Sequence, residues 1–469
     1  MNSKYKRLLE NTGLMFIGSF GSKIISFVML PFYTMWLSVE DYGASDIISV
    51  YSTILLAFIS LNIGDAIFVV PSQKSIEEKK SYFTSGLLFS ICASIALMLF
   101  YIGIRIVLNL TGNSFFDNIL YICLITFTSL FITLFQQFCK SIDKIKVYAT
   151  AGIVQTICVA AFGFLLIPKF KLQGFIYCLI IANIVSALYV FFSATLINYI
   201  NFNLISKGKL IEMFKYSVPL IPNSIMWLIV SYLNRPLMEK YLGLYAIGIY
   251  ALANRFPSLI NTVYNNFSNS WQISVLEQYK KEGFDRFYNR VTLLMICGLS
   301  SFVVVFSILQ EPLIKLLLNE RYLEATKYIP ILCYSCLFIS LGSIYGAVFS
   351  AERVSKYYFY SSVWSAITAI VCNYVFIKQW GIDGACWSCV ASYAIGAISR
   401  FAYARKYVSF ESSKEIFLFI LISLLIICLK SYCNSILYLL LPFLILICYT
   451  CYIFKKLSLY PLFKKDELF

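Results

Sequence analysis

Fourteen apolar stretches, most near 20 residues long, follow one another along this chain, and its basic residues gather in every second gap between them. A helix needs about 20 apolar residues to cross a bilayer core, so this spacing commits the chain to repeated membrane crossings. The spans are expected at 14–37, 45–71, 82–108, 118–139, 147–167, 174–197, 217–242, 246–273, 291–318, 327–350, 357–379, 384–406, 415–433 and 435–454. Only helices fit, because a spanning backbone must satisfy its own hydrogen bonds and no alternating barrel pattern occurs. The first span follows Lys4, Lys6 and Arg7 and lacks a small-residue cleavage site, which predicts an uncleaved helix. With 60% of 469 residues hydrophobic and only 13% charged, no soluble fold competes with this reading.

Placing the N-terminus in the cytoplasm puts 26 Lys and Arg in cytoplasmic gaps and 9 on the opposite side. Positively charged loops stay inside, so this bias predicts that both termini are cytoplasmic. The net charge of +15 then belongs to a solvated, lipid-facing surface and calls for no nucleic-acid partner. Three cations remain, Lys23, Arg235 and Arg255, all inside predicted helices.

Catalytic classes fall away for chemical reasons. The sequence has no histidine, the commonest general base and metal ligand. Its longest connections, around 198–216 and 274–290, are too short for a domain of their own. No Gly-rich loop with Lys-Ser/Thr is available to cradle a nucleotide phosphate. The C-x-x-C spacings Cys333/Cys336, Cys386/Cys389 and Cys448/Cys451 lie in apolar helices and read as packing residues. No cofactor and no metal is expected, and the chain is not read as an enzyme.

The chain also repeats itself. At an offset near 210, Lys140–Tyr148 aligns with Ser350–Tyr358, Arg105–Asn109 with Lys315–Asn319, and Lys171–Gly174 with Gly381–Gly384. Tyr42-Gly43 matches Ile247-Gly248 at an offset of 205. Both repeats hold six spans and start on the same side, an arrangement of transporters with a substrate site between halves. The expected fold is an all-α integral membrane protein of about 14 transmembrane helices. Two six-helix lobes form a parallel repeat around a central cavity, and two C-terminal helices are added. The boundaries fall at 1–205, 206–406 and 407–469.

Polar residues inside the spans mark the candidate cavity. In the eighth span Asn254, Ser258, Asn261, Asn265, Ser268 and Gln272 recur every three or four residues, beside Arg255. Such a stripe is costly against lipid. The first span shows Ser19, Ser22, Lys23 and Ser26, the fourth Thr126, Ser129, Thr133 and Gln136, and the seventh Asn223, Trp227, Ser231 and Asn234. Each stripe reads either as a cavity wall or as hydrogen-bonded glue between helices. Arg235 stands four residues before Glu239, so a private ion pair competes with ligand binding. Lys23 and Arg255 have no carboxylate within one helical turn. Asp65, in the second span, either pairs with Lys23 or carries a coupling ion. Pro31, Pro219, Pro222, Pro236 and Pro257 supply bending points in the same spans.

Tyr216-Ser-Val-Pro219-Leu-Ile-Pro222, Asn234-Arg235-Pro-Leu-Met-Glu-Lys-Tyr-Leu-Gly243 and Ile247-Gly248-Ile-Tyr250 together resemble the seventh-to-eighth helix signature of bacterial polysaccharide-unit flippases. These belong to the multidrug/oligosaccharidyl-lipid/polysaccharide exporter superfamily. Leu37–Gly43 and Trp380–Ala385 resemble other recurring stretches of the family. The resemblance implies flipping of an undecaprenyl-diphosphate-linked oligosaccharide across the bacterial inner membrane, for O-antigen or similar surface polysaccharide. It further implies alternating access, contact with membrane lipid, and work beside a polysaccharide polymerase and other export machinery. Lys23, Arg235 and Arg255 then become head-group ligands, with Asn254, Ser258, Asn261 and Asn265 beside them. The family usually has twelve helices; fourteen match the related lipid II flippases. Two alternatives stand: a multidrug antiporter of the same superfamily, favoured by buried carboxylates such as Asp65, and a membrane-embedded glycosyltransferase or polymerase, which needs a larger outer loop.

Overall fold

Backbone self-sufficiency in lipid shows at once in the computed structural model, which describes residues 18, 20–107, 112–432, 444 and 446–452. Among these residues every regular element is a helix. The N-terminal basic cluster, Ser19 and most of the 435–454 span lie outside the described residues.

Local chemistry sets the helix ends. Ser38 caps Val39–Ser60 by accepting from the Asp41 amide, and Glu40 and Asp41 favour its positive end. This helix therefore begins six residues before the span read from hydropathy. It also ends early, at Leu61 and Asn62, both left-handed at φ 47° and 56°, before Ile63–Val69 resumes. A capping box between Ser75 and Glu78 opens Ile76–Ile102, which widens into a π-helical turn at Gly103–Val107.

Among the described residues eight helices are long and apolar enough to cross a membrane. Three of them contain internal turns, so they hold more crossings than eight. Ile145–Ser193 turns at Lys171 (φ 49°) and Lys356–Ala404 at Gly381 (φ 60°). The third, over 207–278, turns at Gly243 (φ 82°) and is interrupted at Val218–Leu220, Leu233 and Asn254, next to the prolines read as bending points.

The chain divides into two compact units: residues 1–228 with 243–248, and 229–242 with 249–469. In the first, Tyr82, Phe83, Leu134 and Phe138 form the core with Ile63, Ile67 and Met213. The Lys207–Ser217 helix is fixed to this unit by charge: Lys209 Nζ lies 3.4 Å from Glu78 and 3.8 Å from Glu212, and Tyr82 donates to Glu212. The segment 243–248 completes the unit, with Gly248 against the Val39 carbonyl where any side chain would overlap it. In the second unit Ala325–Ala351 is the most deeply buried of the candidate membrane helices among the described residues, and Trp271, Tyr288 and Phe419 pack against its Ile344 and Phe349 side. The described residues beyond 406 fall inside this unit, and Phe419 and Ile426 of Ser413–Tyr432 are fully buried in its core.

Candidate functional site

The Arg255–Gln278 helix has two unlike faces. Phe256, Ile260, Tyr264, Trp271 and Val275 are buried. Tyr264 donates to the Ser340 carbonyl at 2.8 Å, and the Ser268 and Ser343 hydroxyls meet at 2.5 Å. Ser268 thus leaves the stripe and serves as glue to Ala325–Ala351. Asn254, Arg255, Ser258 and Asn261 are half-buried, while Asn265 and Asn269 are exposed. Asn266 answers its own helix, donating to the Thr262 carbonyl at 2.8 Å, but the buried Asn261 Oδ1 accepts no hydrogen bond. An amide-bearing face headed by a guanidinium can hold sugar hydroxyls and phosphate oxygens, since it donates and accepts at several points.

The first unit presents less. Lys23 is exposed on the helical segment 20–28. Its neighbours Ser22 and Ser26 donate to the Gly18 and Ser22 carbonyls at 2.8 and 2.9 Å, so these hydroxyls need no outside partner. Asp65 is exposed in the first turn after the Leu61–Asn62 break. Its carboxylate makes no hydrogen bond or ion pair among the described residues, so the Lys23–Asp65 pair does not form. Of the fourth-span stripe, Thr126 is buried and donates to the Ile122 and Ser52 carbonyls at 2.7 and 3.3 Å.

Arg235 lies elsewhere. It is 4% exposed and donates to the Ser231 carbonyl at 2.8 Å and to Asn234 Oδ1 at 2.9 Å, with its guanidinium 4.8 Å from the Tyr250 ring centroid. Asn234 in turn donates to the Tyr250 hydroxyl at 2.7 Å, and Cys389 Sγ stands 3.1 Å from the same hydroxyl. The sequence motif carrying Asn234, Arg235 and Tyr250 is therefore an internal joint of the second unit, and Cys389 belongs to it as a polar contact.

Sequence reading missed two polar clusters. Gln155 donates to Asn183 Oδ1 at 2.6 Å, and Asn183 donates to Thr128 and Ser129 at 3.0 and 3.1 Å. Arg400, counted above among the cytoplasmic cations, is instead buried: Nε donates to Ser361 at 3.0 Å and a terminal nitrogen to the Gly342 carbonyl at 3.0 Å. The isolated amides at 155 and 183 gave no periodic signal, and Arg400 sits close enough to a span end to read as solvated. Among the described residues no three Cys, Asp or Glu lie close enough together to hold a metal ion.

The polysaccharide biosynthesis protein family model matches residues 8–271, and the lipid II flippase MurJ model matches 238–407. No curated protein matches the chain. Among solved structures, the lipid II flippase MurJ in its inward closed conformation aligns at TM-score 0.72 and 16% identity, over 95% of this chain and 98% of that one. An inward-facing multidrug resistance MATE family transporter of the MOP superfamily aligns at 0.64 and 12% identity, over 85% and 95%. MATE in complex with MaL6 aligns at 0.59 and 13% identity, over 88% and 96%. At these identities the likeness is one of fold. More than half of the chain lies under the first family model, and this multi-pass membrane protein belongs to the polysaccharide biosynthesis protein family, a flippase for a lipid-linked substrate in the multidrug/oligosaccharidyl-lipid/polysaccharide exporter superfamily rather than an enzyme.

Proposed function

We propose that the substrate is an oligosaccharide carried on undecaprenyl diphosphate, moved from the cytoplasmic to the outer leaflet of the bacterial inner membrane by alternating access. The product would pass to a polysaccharide polymerase and export machinery of the O-antigen or capsule kind. Both termini are then cytoplasmic, as the 26:9 basic-residue bias requires. The observation that carries this reading is the Arg255–Gln278 helix, whose amide-bearing side stands apart from its apolar packing side. Amides suit sugar hydroxyls, and Arg255 suits a diphosphate. Lys23, exposed on its segment, is the corresponding cation of the first unit. Arg235, enclosed by Tyr250 and Asn234, acts by positioning its helix.

An Arg–phosphate contact in a partly desolvated site is worth roughly 1.5–3 kcal/mol. Arg255→Ala should therefore weaken apparent affinity about tenfold to a hundredfold. Arg255→Glu should be worse, since it adds repulsion, and Lys23→Arg should keep much of the function. The measurement is complementation of surface-polysaccharide export, with membrane abundance checked by immunoblot. Normal export from both Lys23→Ala and Arg255→Ala at wild-type levels would overturn the cationic site.

The unpartnered carboxylate of Asp65 favours a second reading, cation-coupled drug efflux. Loss of drug resistance in Asp65→Asn with polysaccharide export intact would select it.

A further inference from the structure

At one end of the second unit, where Ala325–Ala351 turns into Lys356–Ala404, a group of cations has no carboxylate to answer it among the described residues. Lys356 Nζ lies 5.3 Å and Lys406 Nζ 5.4 Å from the centroid of one ring, that of Tyr357. This ring is stacked on Tyr403 at 4.7 Å and 23°. Arg353 and Arg405 are exposed beside them. None of these four pairs with a described carboxylate. The nearby acids are committed elsewhere: Glu352 to Lys280 at 2.8 Å, and Asp285 to Ser409, whose amide and hydroxyl donate to it at 3.2 and 2.5 Å. Two ammonium groups held on one phenol ring repel each other, and the attraction of an exposed cation for a ring is weak. An anion lying against both supplies the missing counter-charge.

The surroundings select a lipid over a soluble anion. On the next turns of the same helix Phe359, Tyr360 and Trp364 are 39%, 46% and 52% exposed. Large aromatic side chains facing outward one and two turns from a cationic end mark the depth of the headgroups. The basic-residue bias assigns this end to the cytoplasmic leaflet, whose anionic lipids attract such clusters.

We propose that Lys356 and Lys406, braced by the Tyr357–Tyr403 stack, bind the phosphate of an anionic phospholipid headgroup, as a resident lipid and not as cargo. Each basic residue near an anionic surface contributes about fivefold in affinity, so removing both should cost about twenty-five-fold.

The test uses the purified, delipidated full-length chain. Binding of phosphatidylglycerol and of phosphatidylcholine is followed by native mass spectrometry and by the shift in thermal unfolding. The expected result is tighter binding of phosphatidylglycerol, lost about twenty-five-fold in Lys356→Gln/Lys406→Gln and kept in Lys356→Arg/Lys406→Arg. The control Lys146→Gln/Lys207→Gln removes the same charge from exposed positions of the first unit and should bind as wild type. Wild-type binding by the Lys356/Lys406 double variant overturns the site, and so does an equal loss in the control. Equal binding of phosphatidylcholine overturns anionic recognition. Equal protection by inorganic phosphate alone overturns the assignment to lipid.

Discussion

The hairpins Ile145–Ser193 and Lys356–Ala404 are both 49 residues long and share a backbone plan, yet their side chains solve different problems. Each follows a left-handed residue at matching positions, Asp143 and Arg353, both at φ 60°. Their turns, Lys171 and Gly381, stand 210 residues apart, as do Gly174 and Gly384, which press on the Leu166 and Phe376 carbonyls. The first hairpin then buries Asn183 against the half-buried Gln155, whereas the second buries a cation, Arg400. At the entry corner of the first, Lys144 donates to the Ala194 carbonyl at 2.7 Å and Lys79 to the Ser141 carbonyl at 2.8 Å. At the same corner of the second, Lys356 and Lys406 meet the Tyr357 side chain and no backbone carbonyl or carboxylate among the described residues. Backbone geometry is thus the repeated property, and polar chemistry is where the halves diverge.

If the tight crossings are the shared support, Gly384→Ala should be the most damaging change, because its new methyl would overlap the Phe376 carbonyl oxygen. Overpacking against backbone costs about 1–3 kcal/mol, and the upper end is expected here. Gly174→Ala should cost less, since its overlap with Leu166 is smaller. Thermal unfolding in detergent reads both, and wild-type stability in the two variants would break the comparison. Next in size, Arg400→Leu removes the guanidinium's hydrogen bonds to the Gly342 carbonyl and the Ser361 hydroxyl and should cost about 2 kcal/mol. Asn183→Leu should cost about 1 kcal/mol, the usual scale for amide bonds between membrane helices. A larger loss from Asn183→Leu would place the weightier polar joint in the first hairpin.

The turns allow a finer test. Lys171 adopts a positive φ that a side chain disfavours, and it donates to the Trp36 carbonyl at 3.2 Å. Strained backbone of this kind costs about 1–3 kcal/mol. Lys171→Gly should then gain about 0.5 kcal/mol after losing that bond and some chain entropy, while Gly381→Lys should lose about 1 kcal/mol. Destabilisation by Lys171→Gly would mean that the Trp36 contact outweighs the strain.

Hydropathy made most crossings legible, because most of the described ones are apolar along most of their length. The expected 118–139 and 327–350 spans lie within a few residues of Ile119–Ser141 and Ala325–Ala351. The repeat was legible where a backbone requirement left a residue behind, as at Gly174 and Gly384. The break at Leu61–Asn62 was not, since neither glycine nor proline marks it. Site chemistry was half legible. Periodicity found the amide face of Arg255–Gln278, yet it could not tell Ser268, turned onto Ser343, from Asn265, turned outward. Arg235 and Cys389 drew opposite expectations and share one joint, because both meet Tyr250 and Asn234, and only packing brings Cys389 to them across 139 and 155 positions of chain.

The smallest expected effect is a pH dependence confined to one corner. Glu352 is half-buried, and its hydrogen bonds from Lys280 and then Tyr279 hold its carboxyl below the ordinary value of 4.5. A depressed folded-state value means that the contact stabilises the corner fully above the unfolded value and is lost as pH falls through the lowered one. The position 210 residues earlier is Ile142, so the first unit has no such pair there. Hydrogen exchange across 279–283, corrected for its intrinsic pH dependence, should stay slow at neutral pH and quicken below about pH 4. Lys280→Gln should exchange faster at neutral pH and show much less acid response, while exchange at 142–146 should not change in either protein. An equal acid response at 142–146 would mean that a general loosening, and not the Glu352–Lys280 pair, sets the pH dependence of the second corner.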